Sequence, residues 1–161
     1  MRAESVHAAL LVVLVAGLGL AIYAAVETLY PATGACNINS YVSCAKVATS
    51  SHTTTLGVPD WAIGIAGFLV LLALDVPLYR TWRRDLLRAV VVVAGLGLVL
   101  AAYFAYVELA VIQALCLVCF STYAADGVAF ALAVWLLRSS SDAPLAEGPG
   151  TSSESEAPTS S

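Results

Sequence analysis

Residues 86–137, LLRAVVVVAGLGLVLAAYFAYVELAVIQALCLVCFSTYAADGVAFALAVWLL, hold two apolar runs parted by only a few residues around Glu108. Each run, 86–107 and 111–137, meets the roughly 17 to 25 residues a helix needs to cross the hydrocarbon core of a bilayer. So short a connection makes them an antiparallel helical hairpin. The second run exceeds what a core requires, which leaves it free to tilt or protrude. Working outward toward the N-terminus, two more runs of this kind occupy 61–79 and 6–26. Of the 161 residues, 60% are apolar and 11% charged, whereas soluble domains carry roughly a quarter charged. The pattern predicts an all-α integral membrane protein, a bundle of four transmembrane helices spanning residues 1–138. A cleaved signal peptide is the competing reading of the first run, since Arg2 precedes it. The run's length, and the lack of a small-x-small site leading into a soluble domain, argue against that.

Charge sets the expected orientation. Arg2, Arg80, Arg83, Arg84, Arg88 and Arg138 fall on one side of the four spans, and only Lys46 falls on the other. Short loops rich in Arg and Lys stay cytoplasmic, so both termini and the middle loop are expected inside. The 27–60 loop then lies outside as a cap between spans one and two, and the turn near Glu108 lies outside as well. Residues 139–161 carry most of the excess negative charge and are rich in Ser, Pro, Gly, Glu and Thr. Such a segment buries too little apolar surface to offset its ordering entropy, so a disordered acidic, Ser-rich cytoplasmic tail is expected. The acidic pI therefore gives no sign of a nucleic-acid partner.

All four cysteines, Cys36, Cys44, Cys116 and Cys119, fall on the outer side, where disulfides persist. In a helix, positions i and i+3 share a face, so Cys116 and Cys119 can bring their sulfurs together. A helix N-terminus also carries partial positive charge and free N–H groups, which favour the thiolate. The thiolate is the nucleophile of disulfide exchange, so this pair reads as a redox-active dithiol. Cys36 and Cys44 lie eight apart in what reads as a flexible loop. Two such pairs suggest a relay by exchange, with the loop pair meeting a soluble partner and the helix pair facing something in the membrane. A four-cysteine zinc site would show two short-spaced pairs in a turn-rich ribbon, and no metal is expected here. Two inert disulfides in a non-catalytic membrane subunit remain as an alternative, although a CxxC within a helix is a poor choice of staple.

Five elements in order carry a resemblance. They are Cys36-x7-Cys44; Ser50, six residues after the second loop cysteine; Gly57-Val58-Pro59-Asp60-Trp61-x-x-Gly64; Cys116-Leu117-Val118-Cys119; and Tyr123, four residues further on. With four spans around them, residues 6–137 resemble the vitamin K epoxide reductase family in its prokaryotic form without a fused thioredoxin-like domain. The resemblance implies a four-helix bundle around a quinone pocket capped by the first loop. It implies that Cys119 reacts with the quinone (of menaquinone, ubiquinone or vitamin K type) and that Cys116 exchanges with Cys44. Cys36 would receive electrons from an extracytoplasmic thioredoxin-fold (DsbA-like) protein. Tyr123 and position 60 would bind the quinone oxygens, and Ser50 would help hold the loop over the pocket. Position 60 is often asparagine in the family, whereas here it is Asp60, which also suits an N-cap of span two. The implied activity is a quinone-dependent thiol–disulfide oxidoreductase that makes disulfides. Reduction of vitamin K epoxide or a quinone as the physiological purpose is the alternative. The bacterial DsbB type, which does related chemistry, places its CxxC after the first span, and the cysteine order here argues against it.

Other residues bear on the site. At about 100° per residue, Cys116, Cys119, Tyr123, Asp126 and Phe130 share an arc of roughly 80°, a face that should point into the bundle. An intramembrane carboxyl such as Asp126 is costly and suggests function; a hydrogen bond to a Ser, Thr or Tyr across the bundle is the plainer reading. Glu27 and Glu108 read as solvated charges at the outer interface, and Asp75 as a partner for Arg80 or Arg83. The glycines of the similar stretches 16–20 and 94–98 read as sites of close helix packing.

Overall fold

The computed structural model describes residues 3–30, 36–50, 54–55, 57–81 and 83–139. The tail expected over 139–161 lies outside these residues from position 140 onward. In chain order the elements are α1 (Ala3–Leu29), α2 (Cys44–Ala48), the strands β1 (Thr54–Thr55) and β2 (Val58–Pro59), α3 (Asp60–Thr81), α4 (Arg84–Tyr106), a π-helical turn (Val107–Ile112) and α5 (Leu117–Ser139). Four helical stretches are long and apolar enough to cross a membrane: Glu4–Leu29, Asp60–Leu78, Arg84–Ile112 and Leu117–Ser139. The chain is a multi-pass membrane protein of four spanning helices.

Helix α1 packs against α3 and α5, and α4 closes the ring by packing against α3 and α5 from the other side. The interior is filled by Leu10, Leu14, Leu71, Leu78, Val90, Ala133 and Leu136. Val12, Val15, Leu69, Val92 and Val99 stay exposed on the outer faces, where lipid rather than water is the natural neighbour. Small residues allow the close approaches. A Cβ on Gly17 would run into the Phe68 ring of α3, and one on Gly95 would meet the Phe130 ring of α5. At the end of the bundle opposite the cysteines, His7 Nε2 lies 2.7 Å from Asp75 Oδ1, and both side chains are wholly buried. Asp75 is thus turned inward to His7, not outward to the arginines of the middle loop as its sequence position suggested.

The outer hairpin turn falls later than the apolar runs indicated. Helix α4 continues through the π-helical turn to Ile112 and stops at Gln113, whose φ of 52° is left-handed. Span four therefore begins at Leu117, not at 111. Val111 and Ile112 are as apolar as the residues that follow, so hydropathy alone could not show the break. A left-handed glutamine costs about 1–2 kcal/mol, offset here by partners on both sides. The Ala114 N–H donates to the Glu108 carbonyl at 3.1 Å, and the Gln113 carbonyl accepts from Lys46 Nζ at 3.4 Å.

The first loop is docked onto this turn. Leu115 N–H donates to the Tyr41 carbonyl (2.8 Å) and Ser43 N–H to the Leu115 carbonyl (3.2 Å), forming a parallel bridge between Val42 and Leu115. Two asparagines shape the approach. Asn39 Oδ1 accepts from the N–H groups of Tyr41 (2.9 Å) and Val42 (2.7 Å). Asn37 Oδ1 accepts from Ser43 Oγ (2.8 Å) and Ala45 N–H (3.1 Å). Ser43 then caps α2 by accepting from Lys46 N–H. Further on, β1 and β2 pair antiparallel across a turn in which Gly57 has a φ of 82°, a conformation glycine adopts without steric cost. That hairpin delivers the chain to Asp60, the first residue of α3.

Candidate active site

Bridge register places the sulfurs. With Val42 beside Leu115, Cys44 at the start of α2 arrives next to Cys116, the residue immediately before α5. Cys116 Sγ lies 3.2 Å from Cys44 Sγ and 2.7 Å from Cys119 Sγ. Cys44 is joined to Cys36 by a disulfide with a Cα–Cα distance of 5.7 Å, while Cys116 and Cys119 are free thiols. A continuous path of sulfur therefore runs Cys36–Cys44···Cys116···Cys119. The loop pair is not exposed, as a flexible loop would have it: Cys36 and Cys44 are both buried in an apolar cluster with Val47, Ala114, Cys116 and Val118. Cys36, Cys44 and Cys116 also fall within metal-ligand distance of one another, their sulfurs within 4.8 Å. Linked in a disulfide, however, two of those sulfurs are not the thiolates that bind metal.

Cys116 occupies the cap position of α5. Its Sγ accepts from the Cys119 N–H at 3.3 Å, taking the role an N-cap oxygen usually plays toward one of the first unpaired amides of a helix. The Cys119 thiol donating to Cys116 is the chief cause that holds the Cys116 pKa below the ordinary thiol value. Backbone N–H groups of Cys119 and Val118 act in the same direction, while burial and the nearby Glu108 oppose them.

Beyond Cys119 the site opens into an apolar cavity of about 490 Å³ between the helices, a size typical of small-molecule pockets. Cys119, Asp60, Tyr123 and Asp126 are the titratable side chains among its lining residues, and the remainder of the wall is almost wholly apolar. Asp60 opens α3 and its Oδ1 accepts the N–H of Trp61 at 2.7 Å. A second, water-sized void of about 20 Å³ lies among Glu27, Asp60, Cys44, Cys116 and Cys119, joining the two cysteine pairs from the side. Ser50 is not among the residues lining either space; it follows α2, and its N–H donates to the Val47 carbonyl at 3.0 Å.

Glu108 is the functional candidate that residue-level reading missed. It is 2% exposed, not solvated at the interface. Its Oε1 accepts the Tyr123 hydroxyl at 2.9 Å and its Oε2 accepts the Cys116 N–H at 3.3 Å. One carboxyl thus ties the dithiol to the tyrosine on the cavity wall, and it engages the one proton the Tyr123 hydroxyl can donate. Glu27 is likewise buried, at 4% exposure, with its Oε2 unpartnered. In both cases the acid closing an apolar run is covered by chain from elsewhere, so no local signal betrays its burial.

Comparison with curated proteins gives no match. A profile of the vitamin K epoxide reductase family matches residues 8–134, which takes in both cysteine pairs, the cavity and nearly the full length of all four spans. The chain belongs to the vitamin K epoxide reductase family.

Proposed function

We propose that this oxidoreductase is a thiol–quinone oxidoreductase that generates disulfides for exported proteins. A dithiol on an extracytoplasmic thioredoxin-fold partner attacks Cys36 and releases Cys44 as a thiolate. Cys44 attacks Cys116 of an oxidised Cys116–Cys119 pair, releasing Cys119; the partner's second thiol attacks its first, releasing Cys36 and leaving the partner oxidised, and Cys36 then attacks Cys44, releasing Cys116 as a thiolate. Cys119 then delivers the electron pair to a quinone in the apolar cavity, and Cys116 closes the disulfide with it. In net terms one dithiol and one quinone become one disulfide and one quinol. Asp60 and Tyr123 border the cavity beside Cys119 and are assigned to the quinone oxygens, Tyr123 by turning its hydroxyl proton from Glu108 to the quinone when it binds; Ser50 is assigned to the cap.

The observation that carries the reading is the sulfur path, whose last member alone borders the large cavity. Cys116 lies within reach of Cys44, and Cys119 lies where a flat apolar oxidant fits. The test is to supply purified protein with a dithiol donor and a soluble quinone and to follow quinone absorbance. Replacing Cys119 by Ala is expected to abolish turnover and to trap a Cys44–Cys116 disulfide on a non-reducing gel. Turnover equal to that of the unmodified protein would end the proposal.

A further inference from the structure

Within the cavity, Asp126 stands apart from the other polar groups. It lies on α5 seven residues beyond Cys119, about 10 Å deeper in the membrane at 1.5 Å per residue. The side chain is 8% exposed, and its Oδ2 is buried with no hydrogen-bond partner. Among the described residues no Ser, Thr or Tyr crosses the bundle to meet that oxygen, and no cation pairs with Asp126. The neighbouring helix makes room for it: a Cβ on Gly97 of α4 would lie 2.6 Å from Oδ2 and 3.1 Å from the carboxyl carbon. A structural acid would be tied down, whereas this one is accommodated and left unpaired at the wall of a cavity. Asp60, Cys119 and Tyr123 are the other titratable groups on that wall, all nearer its outer end, and no basic side chain lines it.

Resting on the reading above, we infer that Asp126 is the acid that protonates the inner oxygen of the bound quinone. A quinone has two carbonyl oxygens on opposite edges of its ring. With the ring against Cys119 and one oxygen toward Asp60 and Tyr123, the other points down the cavity toward α5 and Gly97. During reduction the thiol pair loses two electrons and two protons and forms one S–S bond; the quinone gains two electrons and forms two O–H bonds. Asp126 supplies the proton for the inner O–H and regains one from water, into which a thiol proton is released, so the balance closes.

The test is single-turnover reduction of a short-chain quinone by pre-reduced protein, run beside thiol exchange between Cys116 and the loop pair measured by quenched alkylation. Removing one general acid typically costs 10²–10⁴ in rate. Asp126→Asn, which keeps the shape and removes the transferable proton, is expected to slow quinone reduction at least tenfold and to leave loop exchange unchanged. Its residual rate should fall as pH rises, because the proton must then come from solution. An unchanged quinone rate in Asp126→Asn, with the unmodified protein active, overturns the inference and leaves the thiol–quinone reading intact; an inactive unmodified protein overturns that reading itself. If Asp126→Asn loses both reactions, Gly97→Ala decides, since it displaces the carboxyl without removing any acid. Slowed quinone reduction with normal loop exchange in that variant supports the inference, and normal quinone reduction refutes it.

Discussion

Cys116 sits where three influences converge: a thiol donor in Cys119, the first amides of α5, and an electrophilic sulfur in Cys44. The CxxC spacing made the first two legible in the chain, because i and i+3 meet on one face and a helix start favours the thiolate. The third came only through the family resemblance, since physically it depends on a bridge between residues 73 positions apart. Glu108 was illegible for the same reason: its partners Cys116 and Tyr123 come from beyond the turn. The lowered Cys116 pKa gives a signed expectation. Thiolate absorbance of the Cys116 thiol should titrate with a midpoint below that of an ordinary thiol, because the Cys119 thiol and the first amides of α5 donate to its sulfur. Exchange with an oxidised loop should then weaken only as pH falls through that lower midpoint. A midpoint at or above the ordinary value would mean that burial and Glu108 outweigh the donors.

The first loop behaves as a docked element. Its placement relies on short side chains that accept backbone N–H groups, chiefly Asn37 and Asn39, and on the Val42–Leu115 bridge. From the sequence this segment reads as flexible, because asparagine and serine are common in loops of every kind, and their hydrogen bonds show only once the partners are placed. The same limitation shifted the start of α5, where an unbroken apolar run concealed the left-handed Gln113. Replacing Asn37 by Ala removes acceptors for Ser43 and Ala45 at the start of α2. The expected cost is about 1 kcal/mol of loop docking, so the Cys44–Cys116 disulfide should form several-fold more slowly in a Cys119→Ala background. Formation at an unchanged rate would show that the bridge alone places Cys44.

At the scale of the molecule, composition and run length sufficed for four spanning helices, because a bilayer imposes length and apolarity on any helix that crosses it. The resemblance implied a pocket inside the bundle and the glycines of 16–20 and 94–98 read as packing sites, but which helix each one meets, Phe68 of α3 at Gly17 and α5 at Gly95 and Gly97, shows only once the helices are placed. Sidedness rests on the arginine bias, and the relay requires it: a disulfide donor must face the oxidising compartment. A membrane-impermeant maleimide applied to intact cells should label a cysteine introduced at Lys46 and spare one introduced at Arg88. The opposite pattern would put the sulfur path on the reducing side.

At the heart of the proposed mechanism, one electron pair passes from the Cys116–Cys119 dithiol to one quinone. A variant with Cys36 and Cys44 both replaced by Ala, pre-reduced so that only the Cys116–Cys119 dithiol carries electrons, placed in lipid nanodiscs, mixed with excess quinone and quenched at intervals, allows quinol yield and disulfide linkage to be measured on the same sample. Quinol and a Cys116–Cys119 disulfide are expected to appear together, one for one. Quinol formed without that disulfide, or that disulfide formed without quinol, would contradict it.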